Sequence, residues 1–393
     1  NYFWLNDREN PEVIDYLNQE NQYYQAATAH TAQFQKDLFK EMKSRIKEDD
    51  ESVPYLYNGY YYITRFEKGQ DYPIYARKKG SLDAPEEIMF NGNEMAKGHK
   101  FFQLSGISIS NDNRYAIFSV DVIGRRIYTI QVKDLQTGEI LSDKIANCTG
   151  NVAWANDNKT FFYTRQDEKT LRSDKVYKHI LGTDAAEDKL VYFEADDTFN
   201  VSVSRGKSKK YITINISSTL TDEYRFIPAD NPDAEFKIFQ ERIRGLEYSI
   251  SHYGDSFYIV TNADDAINFK LMKTAENATE KANWKDLIPH REDVLIEGID
   301  IFKDYLVISE RSNGLNKIKI MPWSGAEAYY LPFDIETYTA YTTTNVDFDT
   351  DILRYGYQSM ATPSSVIDFN MKTKTKEIKK EQQVLGGKFD KNN

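Results

Sequence analysis

Apolar and polar residues alternate over short stretches through most of the chain, and each stretch turns back at a polar or glycine-containing tip. Residues 152–165, VAWANDNKTFFYTR, show this arrangement clearly. Alternation runs to Ala155, the polar residues 156–158 supply a turn, and an aromatic run starts the return strand. This stretch therefore predicts a β-hairpin.

Similar hairpins recur along the chain at a nearly constant interval. They lie at residues 54–65, 107–121, 152–165, 201–217, 248–261, 297–310 and 342–357. The six intervals between successive turns, from Gly59 to Asp349, average about 48 residues. A repeat of this length is typical of propellers, whereas solenoid repeats are usually shorter or helical.

Each hairpin is followed by a further strand and a second turn, which gives four strands per repeat. The second turns lie at residues 76–87, 132–140, 180–190, 226–236, 272–280, 321–330 and 370–378. A lone four-stranded sheet cannot bury both faces, whereas radially stacked sheets cover one another. The sequence therefore predicts an all-β fold: a seven-bladed β-propeller of four-stranded antiparallel blades.

The first fifty residues have a different periodicity. Asn10 is a good N-cap, Pro11 suits a first helical turn, and apolar residues recur at helical spacing through residues 11–24. A second helix is predicted at 28–47, with an apolar stripe that needs a packing partner. We thus predict an N-terminal helical arm at 1–51, the propeller at 52–384 and a linker at 385–393.

Composition narrows the class of protein. Acidic residues outnumber basic ones, 61 against 50, and the net charge of −11 argues against a nucleic-acid partner. The single cysteine, Cys148, excludes an intramolecular disulfide and is expected to fill a small apolar site. No apolar run is long enough to span a bilayer, so no membrane association is expected. A cytoplasmic location is expected; a periplasmic one stays open because the sequence begins at Asn1 without an initiator methionine.

Motifs for catalysis or metal binding are not apparent in the sequence. There is no G-x-S-x-G pentapeptide, and the five histidines lack metal-ligand spacing. Asp347, Asp349 and Asp351 alternate, but Ile352 and Gln358 stand where a calcium loop needs glycine and glutamate, so a hairpin tip is predicted. Gly206-Lys207-Ser208 lacks the earlier glycine of a phosphate-binding loop and is interpreted as a turn. No metal or cofactor is expected.

Several segments resemble the oligopeptidase B (protease II) group of the prolyl oligopeptidase family, in the same order along the chain. They lie at residues 1–21, 152–165, 175–183, 196–218, 247–262, 284–293 and 353–371. FFYTR, HILGT and RYGYQSM are among the more specific motifs.

This resemblance implies a serine peptidase that cleaves short peptides after arginine or lysine, in which a seven-bladed propeller caps an α/β-hydrolase domain. In the family the hydrolase domain follows the propeller and carries the catalytic triad, and the first helices pack on it. The implied partners are therefore that hydrolase domain and short, basic peptides. The present residues are expected to gate access by size and to be inactive alone.

The resemblance also indicates substrate-cavity candidates. In prolyl-specific relatives an aromatic residue of the third repeat lines the substrate cavity; Phe162 is at the similar position, with Tyr163 and Arg165 beside it. The similarity weakens after Tyr163. A core position for Phe162 and a salt bridge for Arg165 explain these residues equally well.

Two other functions stay open on the sequence. One is a free-standing propeller that acts as a protein-interaction scaffold, although a helical arm is not needed for that role. The other is a propeller enzyme with convergent side chains in its central channel, which a sequence cannot reveal.

Overall fold

The computed structural model describes residues 2–387, 389 and 390. The predicted linker at 385–393 therefore lies partly outside the described residues, as does Asn1. The chain divides into two compact units, residues 1–48 with 383–393, and residues 49–382.

The smaller unit is helical. Its helices are α1 (Pro11–Thr28) and α2 (Ala32–Ser44), with 3₁₀ turns at Phe3–Asn6 and Ala29–Thr31. As predicted, Asn10 caps α1 by accepting a hydrogen bond from the backbone N–H of Glu12, and Pro11 is the first helical residue. The apolar stripe of α2 is exposed along its length; it comprises Phe34, Leu38, Phe39 and Met42.

The larger unit consists of 28 strands in six antiparallel sheets, numbered here in chain order. Sheet 1 contains β1 (Asp50–Glu51), β2 (Tyr55–Tyr57), β3 (Tyr60–Phe66), β4 (Ile74–Lys79) and β5 (Glu86–Asn91). Sheet 2 contains β6 (Gln103–Ile109), β7 (Tyr115–Asp121), β8 (Tyr128–Asp134), β9 (Ile140–Trp154), β10 (Thr160–Gln166), β11 (Ser173–Ile180) and β12 (Lys189–Phe193). Sheet 3 contains β13 (Asn200–Arg205), β14 (Tyr211–Ser217), β15 (Asp222–Pro228) and β16 (Lys237–Ile238).

The last three sheets have four strands each. Sheet 4 contains β17 (Tyr248–Tyr253), β18 (Ser256–Thr261), β19 (Lys270–Ala275) and β20 (Lys285–Ile288). Sheet 5 contains β21 (Leu295–Ile301), β22 (Tyr305–Ser312), β23 (Leu315–Pro322) and β24 (Tyr329–Tyr330). Sheet 6 contains β25 (Thr339–Thr342), β26 (Ile352–Gln358), β27 (Ser365–Asn370) and β28 (Thr375–Glu381). Short helical segments occur at α3 (Gly92–Met95), Ala185–Glu187 and Lys281–Asn283.

An all-β propeller is confirmed, but the prediction of seven separate four-stranded blades is wrong. Five of the six sheets have the four or five strands of a blade, and sheet 2 has seven continuous strands. The repeats with hairpins at 107–121 and 152–165 share this sheet because β9 is 15 residues long. Its first part pairs with β8 and its last part with β10, so no turn separates the two repeats.

Two glycines shape the middle of sheet 2. Gly150 in β9 and Gly106 in β6 both have positive φ, and a Cβ on Gly106 would lie 2.3 Å from the carbonyl oxygen of Gly150. β9 therefore bends at this point without ending. Residues of β7 and β8 pack with Trp154, Phe161 and Tyr163 in one buried cluster, so the two halves of sheet 2 face each other.

Apolar clusters join each sheet to the next. Buried residues link sheets 1 and 2, 2 and 3, 3 and 4, 4 and 5, and 5 and 6. The seam between sheets 6 and 1 is polar: Arg354 donates to the carbonyl of Pro54 at 2.7 Å and pairs with Asp368, and Lys380 pairs with Asp50. The larger unit is thereby a closed ring of sheets.

The turns of the sheets lie at two opposite faces of the ring because neighbouring strands are antiparallel. We call the face that carries the first hairpin turn of each repeat the hairpin face; it includes residues 58–59, 110–114, 156–158, 206–210, 254–255, 302–304 and 343–351. The opposite face, where β1 begins and β28 ends, is the chain-end face.

Candidate functional site

Phe162 and Tyr163, two of the three predicted cavity residues, are fully buried on β10. Phe162 packs between sheets 2 and 3, with Phe236 edge-on at 5.4 Å. Tyr163 stacks on Tyr177 at 5.7 Å between ring centroids. The half-buried Arg165 places its guanidinium 4.8 Å from the centre of the Tyr177 ring. The structure thus brings Tyr163 and Arg165 together; contact of the three residues with substrate stays a prediction.

A buried polar network extends from Tyr163. Its hydroxyl donates to Asp188 at 2.7 Å, and the same carboxylate contacts His179 Nδ1 at 2.6 Å. The other ring nitrogen of His179 is 2.9 Å from Asp143. Burial and the hydrogen bond to Asp188 raise the pKa of Tyr163 far above 10, so the phenol stays protonated. The side chains of this network are buried within sheet 2, and their hydrogen bonds link neighbouring strands of that sheet.

The turn between β13 and β14, residues Arg205–Lys210 (RGKSKK), reaches across the hairpin face to sheets distant in sequence. Arg205 approaches the Tyr57 hydroxyl of sheet 1 at 3.4 Å and donates to Asn156 of sheet 2 at 3.1 Å. Lys209 donates to Asn58 of sheet 1. We call this segment the basic tip. It lies where the innermost strands of several sheets converge.

Residues of sheet 5 also contact the basic tip. Lys207 pairs with Asp300 at 2.9 Å and places its ammonium 3.7 Å from the centre of the Phe302 ring. Burial lowers the pKa of Lys207, although Asp300 opposes this shift. Sheets 1, 2 and 5 therefore all contact this one turn at the hairpin face.

A cavity of about 290 Å³ lies beside the basic tip. Its lining is mainly aromatic and aliphatic, with Arg205 as its charged residue; it comprises Tyr55, Tyr57, Tyr62, Ile63, Thr64, Tyr75, Ala76, Met89, Ile107, Ser108, Ile109, Arg205 and Val346. Burial raises the pKa of Tyr62 to about 12, against the influence of Arg77. This cavity combines apolar walls with few polar groups, as small-ligand sites do.

The composition of the basic tip carries a signal for these long-range contacts. Four of its six residues are basic, a density that a solvated hairpin tip does not need. The interpretation of Gly206-Lys207-Ser208 as a turn is confirmed, since the Lys209 N–H donates to the Gly206 carbonyl.

Ser208, His252 and Glu276 form a hydrogen-bonded series that the sequence did not predict. Ser208 Oγ is 3.0 Å from His252 Nδ1, and His252 Nε2 is 3.2 Å from Glu276. A nucleophile needs a base that is free to accept its proton and an acid reserved for that base. Glu276 instead also binds Lys210 and Tyr211. We interpret the series as a link between the basic tip and sheet 4.

Cys148 is a buried filler, as predicted, and not a nucleophile. Its side chain has no exposed surface, and burial raises the pKa of its thiol to about 12. The alternating aspartates lie in the turn between β25 and β26, as predicted. Within the described residues, no cluster of three or more potential metal ligands occurs, and no helix is long and apolar enough to cross a membrane.

The chain-end face carries exposed apolar side chains at equivalent positions. The turn after the second strand of the repeat presents Ile123 in sheet 2, Leu220 in sheet 3, Ile267 in sheet 4 and Met360 in sheet 6. These side chains are 63%, 62%, 78% and 98% exposed, respectively. Exposed apolar residues thus recur in this turn in four of the six sheets.

The same face carries exposed acidic pairs. They are Asp196–Asp197, Asp264–Asp265 and Glu292–Asp293, in turns of three successive repeats.

Comparison with known proteins gives a consistent result. The model of the family described as "Prolyl oligopeptidase, N-terminal beta-propeller domain" matches residues 1–382. Dipeptidyl aminopeptidase BI of Pseudoxanthomonas mexicana is 38% identical over 98% of the chain, and Protease 2 of Moraxella lacunata is 31% identical over 98%. The chain spans only 55% and 56% of these relatives.

Solved structures of related proteins are similar to the chain over its whole length. Oligopeptidase B from Leishmania major superposes on the whole chain with a TM-score of 0.92 at 30% identity. Oligopeptidase B from Trypanosoma brucei, solved in a closed form with covalently bound antipain, gives a TM-score of 0.91 at 28% identity. The chain covers 57% of each.

Proposed function

Because this chain belongs to the family of prolyl oligopeptidase N-terminal β-propeller domains, we propose that it is the gating cap of a serine oligopeptidase that hydrolyses short peptides after arginine or lysine. The proposed partner is an α/β-hydrolase domain of the same protein, which would supply the catalytic triad. The cap itself would restrict entry to flexible peptides and shield the reaction from bulk water.

The observation that carries this proposal is the repeated apolar surface of the chain-end face. Ile123, Leu220, Ile267 and Met360 occupy the same turn of four sheets, where their apolar side chains are exposed to water. The larger unit both begins and ends at this face. A domain connected to these ends would cover this surface.

A preference for basic peptides is supported by the charge of the same face. Three acidic pairs lie in turns of this face, and carboxylates near a substrate entrance attract cationic side chains. The resemblance to oligopeptidase B supports the same preference. The similarity to a protein named dipeptidyl aminopeptidase makes removal of dipeptides from peptide amino termini a second candidate activity.

The chain alone should hydrolyse no peptide. This can be tested with fluorogenic peptides that carry arginine or lysine before the scissile bond, alongside matched peptides with glutamine there. Turnover by the homogeneous chain that a serine-directed reagent abolishes would contradict the proposal.

The gating role can be tested by adding the chain to a separately produced hydrolase domain from the longer protein. We expect a complex that cleaves short basic peptides and spares an unfolded protein substrate that the hydrolase domain alone degrades. Met360→Lys together with Ile267→Lys should weaken the complex, and Ile378→Lys, at an exposed position on the outer strand β28, is the matched control. Release of dipeptides from blocked and free peptides separates the two candidate activities.

A further inference from the structure

Two cations of the basic tip are held in the ring interior without a carboxylate in contact. Arg205 and Lys209 are both half-buried, and their polar contacts are with Tyr57, Asn58 and Asn156. Among the described residues neither forms an ion pair, whereas the adjacent Lys207 is paired with Asp300. Partly buried cations are normally paired, so this pair of charges is unusual.

Both cations converge on Tyr57. Arg205 approaches its hydroxyl, and the ammonium of Lys209 lies 4.9 Å from its ring centre. Burial and the charge of Arg205 lower the pKa of Lys209, whereas Asp347 acts in the opposite direction without contact. The like charges therefore remain close enough to repel, and an anion between them would relieve this repulsion.

A third donor lies beside Lys209. The Nδ2 of Asn58 is buried and makes no hydrogen bond, while the Oδ1 of the same amide accepts from Lys209 at 2.5 Å. An unpaired buried N–H is costly to leave unsatisfied. An anion beside Lys209 would accept from it. The hydroxyl of Tyr62, also buried without a hydrogen bond, lies on the wall of the neighbouring cavity.

The cavity determines what kind of anion fits. Arg205 forms part of its wall, and the remaining walls are mainly tyrosine rings and aliphatic side chains such as Met89 and Ile109. A volume of about 290 Å³ accommodates one or two amino-acid residues. A bare inorganic anion would leave the apolar walls unoccupied.

We propose that this cavity binds a carboxylate that carries a compact apolar group, as the C-terminal residue of a short peptide does. The carboxylate is held by Arg205 in the cavity wall, and by Lys209 and the Asn58 amide, which lie beside Arg205 outside the lining residues. The apolar group lies against Tyr55, Tyr62 and Met89. The site rests only on residues of the larger unit. It is independent of the proposed function, and its absence would leave that function untouched.

The experiment uses the complete chain and two probes of the same shape. N-acetyl-phenylalanine carries the carboxylate, and N-acetyl-phenylalaninamide replaces it with a neutral amide. We expect saturation-transfer NMR and calorimetric titration to show binding of the acid at least about tenfold tighter than that of the amide, the effect of one charged hydrogen bond. Equal binding of acid and amide, or no binding of either, would overturn the proposal.

Acetate and phosphate distinguish a peptide carboxylate from a bare anion. The acid with its apolar group should bind at least about tenfold more tightly than either small anion. If acetate or phosphate competes with equal affinity, the peptide assignment is wrong.

Variants locate the site. Arg205→Met should weaken binding of N-acetyl-phenylalanine by at least about tenfold, and Arg205→Lys should retain part of it. Lys210→Met is the matched control because Lys210 belongs to the same turn but pairs with Glu276 of sheet 4. Each variant is compared by circular dichroism with the wild-type chain. Unchanged affinity in a folded Arg205→Met variant would refute the assignment, and the acid–amide comparison decides the matter on the wild-type chain if that variant does not fold.

Discussion

His179 links the charge state of a single side chain to folding. It lies between Asp143 and Asp188 and has no exposed surface. Burial alone would lower its pKa, but the hydrogen bonds and charges of the two carboxylates outweigh burial, so its pKa is raised above 6.5. The protonated ring therefore stabilises the folded state.

The sign of the pH dependence follows from this shift. A base with a raised pKa in the folded state contributes stability that is fully present below the unfolded value of 6.5 and is lost as the pH rises through the folded pKa. We expect His179→Gln to cost roughly 3 kcal/mol or more on the acidic side, because two buried carboxylates lose their cation. The cost should decrease toward alkaline pH, as measured by urea unfolding over a pH series.

His252 is expected to show the opposite pH dependence, and His99 serves as the control for this prediction. Burial lowers the pKa of His252, against the effect of Glu276, so protonation favours the unfolded chain and stability from this group is lost as the pH falls below 6.5. Replacement of His252 should therefore change the pH profile with the opposite sign. Replacement of the exposed His99 by glutamine is the control for loss of a histidine at the surface. A pH-independent cost for His179→Gln would refute the argument.

Substitutions of Phe162 can distinguish packing of its ring in the core from contact of its ring with substrate. Its ring is fully buried between sheets 2 and 3, so Phe162→Ala should reduce the free energy of unfolding by about 3–5 kcal/mol, and Phe162→Leu by less. Phe193→Ala, at a half-exposed ring of the same sheet, is the control and should change stability little. Urea unfolding measures these differences. A stable Phe162→Ala variant would instead favour a ring that lines an open cavity.

Residue type and spacing identified turns and caps but not the long-range polar contacts. Asn10 and the turn at 156–158 could be predicted because the backbone groups that they satisfy are two or three residues away. The contacts of Arg205 with Tyr57 and of Lys209 with Asn58 join residues about 150 positions apart. Such contacts depend on the closure of the ring, which no local pattern specifies.

At the scale of single elements, β9 explains why the number of separate blades could not be predicted from the repeat. The pattern of turns marks where a hairpin reverses, and these reversals were located correctly. Whether the chain between two repeats leaves the sheet depends on backbone geometry at Asn147 and Gly150, both with positive φ. Their effect depends on the approach of Gly106 in a different strand, which is a tertiary contact.

Gly106 should be essential for this arrangement. An added Cβ would lie 2.3 Å from a backbone oxygen that cannot move without displacing β9, so Gly106→Ala should destabilise the chain strongly. Gly138→Ala is a matched control, since Gly138 also has positive φ but has nothing within 4 Å of an added Cβ. We expect a cost of about 1 kcal/mol for the control from backbone strain. The cost for Gly106→Ala should exceed it by at least about 2 kcal/mol in urea unfolding; equal costs would show that β9 adapts.

At the scale of the whole ring, the seam between sheets 6 and 1 differs from the others. The other junctions are apolar clusters, whereas this one depends on Arg354, which binds both oxygens of Asp368 and the carbonyl of Pro54. No strand crosses from one sheet to the other at this junction within the described residues. In the part of the chain that the structure describes, no two of the six sheets share a strand, so this seam differs from the other junctions in its polar contacts, and we expect it to open first.

Replacement of Arg354 tests this view of the ring. Arg354→Met should cost roughly 2–4 kcal/mol, because it leaves the largely buried Asp368 without its partner and removes the link to Pro54. Amide exchange should accelerate in β2 and β26, which flank the seam, and change little in β18 on the far side. Arg311→Met is the control because Arg311 is half-exposed and pairs with Glu297 within its own sheet, a contact worth about 1 kcal/mol or less. Arg354→Lys should recover only part of the loss, since a lysine cannot bind the carboxylate with two parallel hydrogen bonds. Uniform acceleration of exchange in all six sheets would show that the ring unfolds as one unit and has no preferred seam.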